Sequence, residues 1–223
     1  MDIGHGDQGA GQTGMTGSGV RRTQAERRSA TRTAMLTAAA QGLSTYGYAN
    51  LVLDQVAKEA GYTRGALYHQ FAGKEDLALA AVQWVRDTWD VEVRQPARAE
   101  PDPLSSLMAL ARGHALYCSR AASEQYDPAR VMLTLRVEFH GQDHPVGHAI
   151  DASIVELEAE CAELIATARG QGSVPPGPPA SLTAEAFLAV LESVAIEIAG
   201  QAPHDVELVE RAVRGILGVP QPA

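Results

Sequence analysis

The chain has 223 residues, 45% of them hydrophobic and 20% charged, a composition typical of a globular protein with a substantial core. No apolar run approaches the roughly 18–20 residues needed to cross a bilayer, and the Gly-rich first twenty residues lack the apolar segment of a signal peptide. Two cysteines do not predict a disulfide framework, so we expect a cytoplasmic protein without membrane association.

The net charge of −9 is distributed unevenly along the chain. Residues 21–74 hold eight basic and three acidic residues, a net charge of +5, whereas residues 75–223 hold ten basic and 22 acidic ones. The overall negative charge argues against a protein that coats nucleic acid, but the basic segment suits a polyanionic partner. An uneven, merely solvated surface would give the same count, so charge alone only nominates this region.

The N-terminal third is predicted to contain short helices after a disordered, Gly-rich tail at residues 1–22. Apolar residues at spacings of three and four predict an amphipathic helix over about 25–46, which ends at Gly47. A second, short helix begins at Leu53 and stops at Gly61. Since an isolated helix of this length is marginal in water, packing against neighbouring helices must hold it.

The third helix is the candidate functional element. Thr63 is a suitable N-cap and the helix is predicted to run to about Gln70, with Leu67 and Phe71 on the inward face. The opposite face then presents groups that donate to phosphates and base edges, and a helix N-terminus also favours phosphate. These outward residues are Thr63, Arg64, Gly65, Tyr68 and His69, with Lys74 just beyond, and no carboxylate competes among them. Arg64 could pair with guanine O6 and N7, whereas Tyr68 and His69 taken singly could equally be packing or capping residues.

The run VAKEAGYTRGALYHQFAGKEDL, preceded by a helix ending in TYGY, resembles the DNA-binding region of the TetR/AcrR family of transcriptional regulators. The resemblance covers about residues 25–80 and fixes one register for Ala60, Gly61, Gly65, Leu67, Tyr68, Phe71, Lys74, Glu75 and Leu77. It implies base contacts from the first turn of the third helix and from His69, and phosphate contacts from Tyr68 and Lys74. The full set of expected DNA-binding residues is Arg28, Asn50, Thr63, Arg64, Gly65, Ala66, Tyr68, His69 and Lys74.

The sequence departs from the family pattern at two places. Leu51 and Val52 stand where a Thr or Ser pair commonly opens the second helix, and Asn50 could supply the missing cap and phosphate contact. Tyr62 replaces a small aliphatic residue after the turn glycine, so local packing must differ. The resemblance implies a helix-turn-helix DNA-binding domain at 23–75, with its motif at about 52–71, and a ligand-binding and dimerisation domain at 76–223.

The remaining chain is predicted to be helical throughout, which makes the fold all-α. A fourth helix is predicted over about 74–93, then a linker at 94–103 with the sequence RQPARAEPDP. Further helices are predicted over about 103–121, 128–139 and 146–169, the last with a narrow apolar seam, before a Pro-rich loop at 170–181. The last two helices begin near Ser181 or Thr183 and at Pro203, and they end at Gly200 and Gly218.

The final two helices are expected to form a homodimer interface. The segment 183–199 is apolar over much of its circumference, which predicts burial on more than one side. The family resemblance implies a four-helix bundle with the two-fold mate, and the alternative is the C-terminal core of a monomer. The expected interface residues are Phe187, Leu191, Val194, Ile198, Val209, Val213 and Ile216.

Two other groups of residues could bind small ligands. Aromatic and Met side chains at helical spacing could line a hydrophobic cavity, although they could also be plain core: Trp84, Trp89, Met108, Tyr117, Met132 and Phe139. Four potential metal ligands, His140, Asp143, His144 and His148, lie within nine residues. The intervening glycines and Pro145 prevent a continuous helix, so we interpret this stretch as a polar loop and expect no metal and no cofactor.

The sequence thus predicts a dimeric transcriptional regulator and not an enzyme. We expect a repressor that binds a pseudo-palindromic double-stranded DNA operator and is released by a small hydrophobic or amphipathic ligand. One alternative is an all-α ligand-binding or metal-binding protein that keeps the fold without binding DNA. A helical enzyme is a second alternative, disfavoured because no acid–base constellation, phosphate loop or nucleophile elbow is recognisable.

Overall fold

The computed structural model describes residues 23–123, 128–198 and 204–221, and within these ranges the regular structure is all-helical. The predicted disordered tail at 1–22 lies outside the described residues. Ten α-helices are numbered in chain order: α1 (Gln24–Tyr46), α2 (Leu53–Glu59), α3 (Arg64–Gln70), α4 (Lys74–Trp89), α5 (Gln95–Arg98), α6 (Pro103–Ser123), α7 (Pro128–Glu138), α8 (Pro145–Gly170), α9 (Ala180–Ile198) and α10 (His204–Leu217).

Local signals position the first three helices. Thr23 opens α1 with a capping box, in which its hydroxyl accepts from the Glu26 N–H and the Glu26 carboxylate accepts from the Thr23 N–H. Gly47, at φ +73°, ends α1, and Gly61, at φ +78°, makes the turn between α2 and α3. The side chains of Val56, Leu67 and Phe71 are buried with those of α1, so packing holds both short helices in place.

The predicted linker after α4 is helical, which corrects that prediction. A π-helical turn at Asp90–Arg94 continues α4, and α5 follows directly. Pro96 is compatible with this continuation because it lies in the first turn of α5, where its missing N–H is not needed. Arg94 and Arg98 both bind Glu160 of α8, each at 2.6 Å, and tie the turn to the body of the protein.

The helices form two hydrophobic cores, and α8 contributes buried residues to both. The first surrounds α1–α4 and also includes Val131 and Leu135 of α7, Phe139 just after it, and Ile150 of α8. The second joins the π-helical turn, α5 and α6 to the C-terminal half of α8, α9 and α10. The expected boundary at residues 75 and 76 is therefore not a gap in packing, because one core crosses it along α4.

The predicted dimer stripe faces inward within one protomer, and this corrects that prediction for the residues whose side chains are described. Phe187, Val209 and Val213 are fully buried and Leu191 is 2% exposed, all in the second core. Ile216 is partly buried against the same core. The side chains of Val194 and Ile198 lie outside the described residues. The stripe was misassigned because a helix that is apolar on two sides does not reveal which side its own chain covers.

The outward faces of the same helices carry a second stripe. Leu182 of α9 is 53% exposed and Leu208 of α10 is 46% exposed. Small residues continue these faces and are exposed as well, namely Ala186, Ala189 and Gly215. An exposed apolar and small-residue surface on two adjacent helices is a candidate for helix–helix association.

Candidate nucleic-acid interface and ligand cavity

The third helix presents its polar face to solvent, as its periodicity predicted. The side-chain hydroxyl of Thr63 accepts a hydrogen bond from the Ala66 N–H at 3.2 Å and caps the helix. Leu67 is fully buried. The residues on the other side are all exposed, namely Thr63, Arg64, Gly65, Tyr68 and His69. The helix N-terminus and its polar side chains are therefore accessible together on one face.

Asp54 of α2 introduces a carboxylate into this face, contrary to the expectation that none competes there. Its Oδ2 lies 3.1 Å from Nη1 of Arg64, and both side chains are more than half exposed. The Arg64 guanidinium also lies over the Tyr68 ring, 5.3 Å from its centroid. A hydrogen bond with Tyr68 and the charge of Asp54 raise the pKa of Arg64, so Arg64 is a fixed cation. The i, i+10 spacing gave no signal for this pair because it crosses the turn.

Lys74 and Asn50 contact the loop between α1 and α2. Lys74 Nζ donates to the Ala49 carbonyl at 2.7 Å and lies 4.8 Å from the centroid of the Tyr48 ring. Asn50 Nδ2 donates to the Tyr46 carbonyl at the end of α1. Val52 is the N-cap residue of α2 and makes no side-chain capping bond, so Asn50 does not supply that cap as expected. Asn50 instead satisfies a free carbonyl of α1.

The other expected DNA-binding residues occupy different positions. Arg28 is exposed on α1, on the same chain segment as Arg32. Arg32 Nη1 lies 3.4 Å from the Gln70 carbonyl at the end of α3, and its guanidinium covers the Phe71 ring at 4.6 Å. Ala66 is half-buried and packs against the first core, so its methyl group does not belong to the outward face.

A cavity of about 210 Å³ lies between the two cores. Its walls come from α4, the π-helical turn, α6, α7, α8 and α9. Most of the lining is apolar or aromatic, with charged groups from α4, the π-helical turn and α9. The lining residues are Gln83, Val85, Arg86, Asp87, Trp89, Asp90, Arg94, His114, Tyr117, Pro128, Ala129, Met132, Ser153, Ile154, Leu157, Leu188, Leu191 and Glu192.

Three of the six residues expected to line a cavity do so, namely Trp89, Tyr117 and Met132. The other three do not, and this corrects the prediction. Phe139 is buried in the first core and stacks on His144 with ring centroids 4.2 Å apart, and Trp84 packs against that core. Met108 belongs to the second core. Helical periodicity identifies inward residues but does not distinguish a packed core from a cavity wall.

His114 is a buried polar group in the cavity wall that sequence reasoning did not single out. Its Nδ1 accepts a hydrogen bond from Trp89 Nε1 at 3.1 Å, which places the proton of the neutral ring on Nε2. Burial lowers the pKa of His114 from 6.5 to about 4, and a hydrogen bond with the Leu191 backbone opposes this effect. His114 is therefore neutral near neutral pH and orients the Trp89 indole.

The four potential metal ligands between residues 140 and 148 do not converge on one point. His148 Nε2 lies 3.1 Å from Asp143 Oδ1, whereas His144 faces Glu75 at 3.7 Å and stacks on Phe139. In the described part of the chain, no group of three or more His, Cys, Asp or Glu residues is placed to hold a metal ion. None of the helices in these ranges is long and apolar enough to cross a membrane.

The short helix α3, held across α2 and α1 with its polar face exposed, defines a helix-turn-helix protein with a helical body. Residues 35–81 match the family described as bacterial regulatory proteins, tetR family. Among relatives, the A-factor receptor protein of Streptomyces griseus is 32% identical over 124 residues, 56% of this chain and 42% of that protein. The HTH-type transcriptional regulator CymR of Pseudomonas putida is 42% identical over 65 residues, 29% of this chain and 32% of its own length.

The HTH-type transcriptional repressor BepR of Brucella suis biovar 1 is 32% identical over 57% of this chain and 60% of its own length. The chain thus spans less than two thirds of each of these curated relatives. Solved structures cover more of the fold. The TetR-family regulator SCO4454 from Streptomyces coelicolor has a TM-score of 0.66 at 20% identity, over 85% of this chain and 95% of that one. AibR in complex with isovaleryl coenzyme A and operator DNA has a TM-score of 0.68 at 21% identity, over 84% and 96%.

Proposed function

We propose that this protein is a sequence-specific DNA-binding transcriptional repressor that works as a homodimer and is released from its operator by a small ligand. The exposed polar face of α3, capped by Thr63 and backed by the buried Leu67, carries this proposal. The name of BepR describes a repressor, and AibR has been crystallised with both a ligand and operator DNA, which supports the same assignment here. Residues 23–75 would form the DNA-binding domain and residues 76–223 the ligand-binding and dimerisation domain.

Each exposed residue has a distinct proposed role at the DNA. Arg64 reads a guanine edge from the first turn of α3, beside Thr63 and Gly65, which has no side chain to hinder the approach of DNA. Tyr68 and His69 contact the backbone and a base edge from the same face. Arg28 and Lys74 contact phosphates, and Lys74 does so while anchored to the α1–α2 loop.

The proposed dimer uses the outward stripe of α9 and α10. Leu182, Ala186 and Ala189 on α9 would pack against their two-fold mates, together with Leu208 on α10. Small residues let helix backbones approach closely, and burying the two leucines removes exposed apolar surface. A two-fold dimer places two α3 helices in successive major grooves, about 34 Å apart.

The proposed ligand is small and largely apolar, with a polar group at one end. Trp89, Tyr117 and Met132 supply an apolar wall, while Glu192 and Arg86 lie at its polar side. Burial raises the pKa of the Glu192 carboxyl, with Arg136 at 3.4 Å opposing this effect. The ligand would favour a protomer arrangement that does not match the groove spacing, and by linkage DNA would weaken ligand binding by the same factor.

The test selects binding sites from a pool of random duplexes with the whole protein, and then measures affinity at several salt concentrations. We expect an inverted repeat to be enriched, and the logarithm of the affinity to fall linearly with the logarithm of salt concentration. Arg64→Ala should relax the base preference at one position in each half-site. Lys74→Ala should weaken binding to all sequences and flatten the salt dependence of the affinity by about one unit of slope. If no sequence is enriched and the protein still binds apolar molecules, it is a ligand-binding protein on the same fold.

A further inference from the structure

The loop between α1 and α2 is held by a carboxylate from a distant helix. Glu138, the last residue of α7, accepts hydrogen bonds from the backbone N–H groups of Tyr48 and Ala49, each at 2.6 Å. These contacts join residues 89 and 90 positions apart in sequence. The loop leads directly into α2, which begins at Leu53 and packs against α3.

The backbone of this loop is shaped for an anionic side chain. Gly47 has φ +73°, and a Cβ added there would lie 2.6 Å from Glu138 Oε2, so a side chain at this position would be both strained and obstructed. Two successive N–H groups then converge on the two carboxylate oxygens. On the other side, Lys74 Nζ binds the Ala49 carbonyl at 2.7 Å and covers the Tyr48 ring. Glu138 therefore binds two backbone N–H groups of the loop, and Lys74 binds one of its carbonyl groups.

The helix that carries Glu138 also forms a wall of the ligand cavity. Met132, six residues before Glu138, lines the cavity together with Ala129. These six residues span about 9 Å of helix. On the same helix, Val131 and Leu135 are fully buried in the core that also holds Leu67 of α3. Because close-packed interiors transmit strain, we expect a shift of α7 at the cavity to reach Glu138.

We propose that Glu138 is a positioning residue, which fixes the α1–α2 loop and the helix-turn-helix on α7 and thereby links occupancy of the cavity to DNA binding. This inference rests on the proposed function and names the contact that would couple the cavity to the helix-turn-helix. The chemistry requires a carboxylate, since both loop groups are donors. A glutamine has one acceptor oxygen, and its amide would oppose the second N–H.

The first experiment compares Glu138→Gln with Glu163→Gln, a matched change at an exposed residue of α8. Hydrogen exchange should lose protection at the amides of Tyr48 and Ala49 in the first variant only. Affinity for a selected operator should fall about tenfold, within the range of roughly 5–150-fold typical of coupled sites, while affinity for a scrambled duplex stays within about twofold. Unchanged protection at both amides would overturn the inference even if no operator were found.

The second experiment fills the cavity without a ligand, by Met132→Trp, in three backgrounds. In the otherwise wild-type chain and in Glu163→Gln, we expect this substitution to weaken operator binding about tenfold and to alter protection at Tyr48 and Ala49. In Glu138→Gln, its effect on operator affinity should shrink to less than about twofold, because the connection is already broken. Circular dichroism checks that each variant keeps its helix content.

Additive effects of Met132→Trp and Glu138→Gln would overturn the inference, and so would the absence of any effect of Met132→Trp in the wild-type background. These outcomes differ from a failure of the proposed function. If the proposed function is wrong, the wild-type protein will enrich no operator. The hydrogen-exchange comparison will still decide whether Glu138 of α7 protects the loop amides.

Discussion

At the scale of single residues, Arg64 lies on the outward face of α3 but already has a carboxylate partner. Oδ2 of Asp54 lies 3.1 Å from Nη1 of Arg64, and both side chains are largely solvated. An exposed ion pair of this kind contributes little to stability, because water screens it and two long side chains lose freedom. Its larger consequence would be in the proposed complex with DNA, where phosphates would repel a carboxylate beside Arg64.

We predict that Asp54→Asn strengthens operator binding by about two- to fivefold, the range expected from an exposed charge pair. The substitution removes a negative charge from the face and releases Arg64 from its partner. Fluorescence anisotropy with a labelled operator duplex at fixed salt measures the change, with Glu163→Gln as a control for net charge. Weaker binding, or a loss of sequence preference, would show instead that Asp54 orients Arg64 for its base.

His114 gives a second prediction at the residue scale, because its pKa of about 4 lies below the ordinary value of 6.5. As pH falls, the unfolded chain takes up the proton first, so this contribution to stability is complete above about pH 6.5 and is lost towards about pH 4. Between about pH 7 and about pH 5 we expect His114 to account for a loss of about 2 kcal/mol in the free energy of unfolding.

Urea denaturation at these two pH values, for the wild type and for His114→Phe, isolates this contribution. The variant should be less stable near neutral pH, because Trp89 loses its acceptor, yet its stability should fall less on acidification. His140→Gln, at an exposed residue, is the control for removing a histidine. An equal fall in both proteins would contradict a neutral, buried His114.

At the scale of the elements, α9 has two apolar faces with different surroundings. One face, including the fully buried Phe187, belongs to the protomer's own core. The other, with Leu182, Ala186 and Ala189, is exposed in the single chain. A substitution on one face should therefore act on folding, and a substitution on the other should act on assembly.

We predict that Phe187→Ala lowers the free energy of unfolding by about 3–5 kcal/mol, as expected for an emptied aromatic site. Ala186→Arg, one residue away, should leave the helix content intact and convert a dimer to a monomer, because it places a charge and extra volume in the interface. Circular dichroism and sedimentation equilibrium distinguish the two effects. If the Ala186→Arg protein is still a dimer, the interface lies elsewhere on the surface.

The same two faces show where sequence reasoning succeeds and where it stops. The bounds of α1, α3, α7 and α8 were predicted within a residue or two, because caps, glycine turns and apolar spacing are local signals. The exposed face of α3 followed from the same periodicity. The buried dimer stripe, the π-helical turn and the Asp54–Arg64 pair did not follow, since each depends on which distant element packs alongside.

The hold of Glu138 on the α1–α2 loop is the clearest example of information that the sequence does not display. Glu138 lies near the end of a predicted helix as one more acidic residue among many, and Tyr48 and Ala49 contribute only backbone groups. Only Gly47, which ends α1 at a positive φ, offered a hint, and it indicated a turn and not an anion-binding loop.

At the scale of the whole molecule, charge and symmetry act together. The segment 21–74 carries a net charge of +5 within a chain of −9, so the body repels DNA while the N-terminal unit attracts it. A single protomer offers few cations for phosphate contacts, and two protomers on one duplex double that number. If the protein dimerises as proposed through the outward stripe of α9 and α10, this assembly should determine both the affinity for DNA and the spacing of the half-sites.

We predict that the wild-type protein binds a duplex with two half-sites one helical turn apart far more tightly than a duplex with one half-site. Moving the half-sites apart by about five base pairs should remove most of this gain, because the second α3 would then face the opposite side of the duplex. Ala186→Arg should bind all three duplexes equally, with the affinity of a single unit. Anisotropy titrations with the three duplexes measure this, and a wild-type protein indifferent to spacing would show that its protomers read DNA independently.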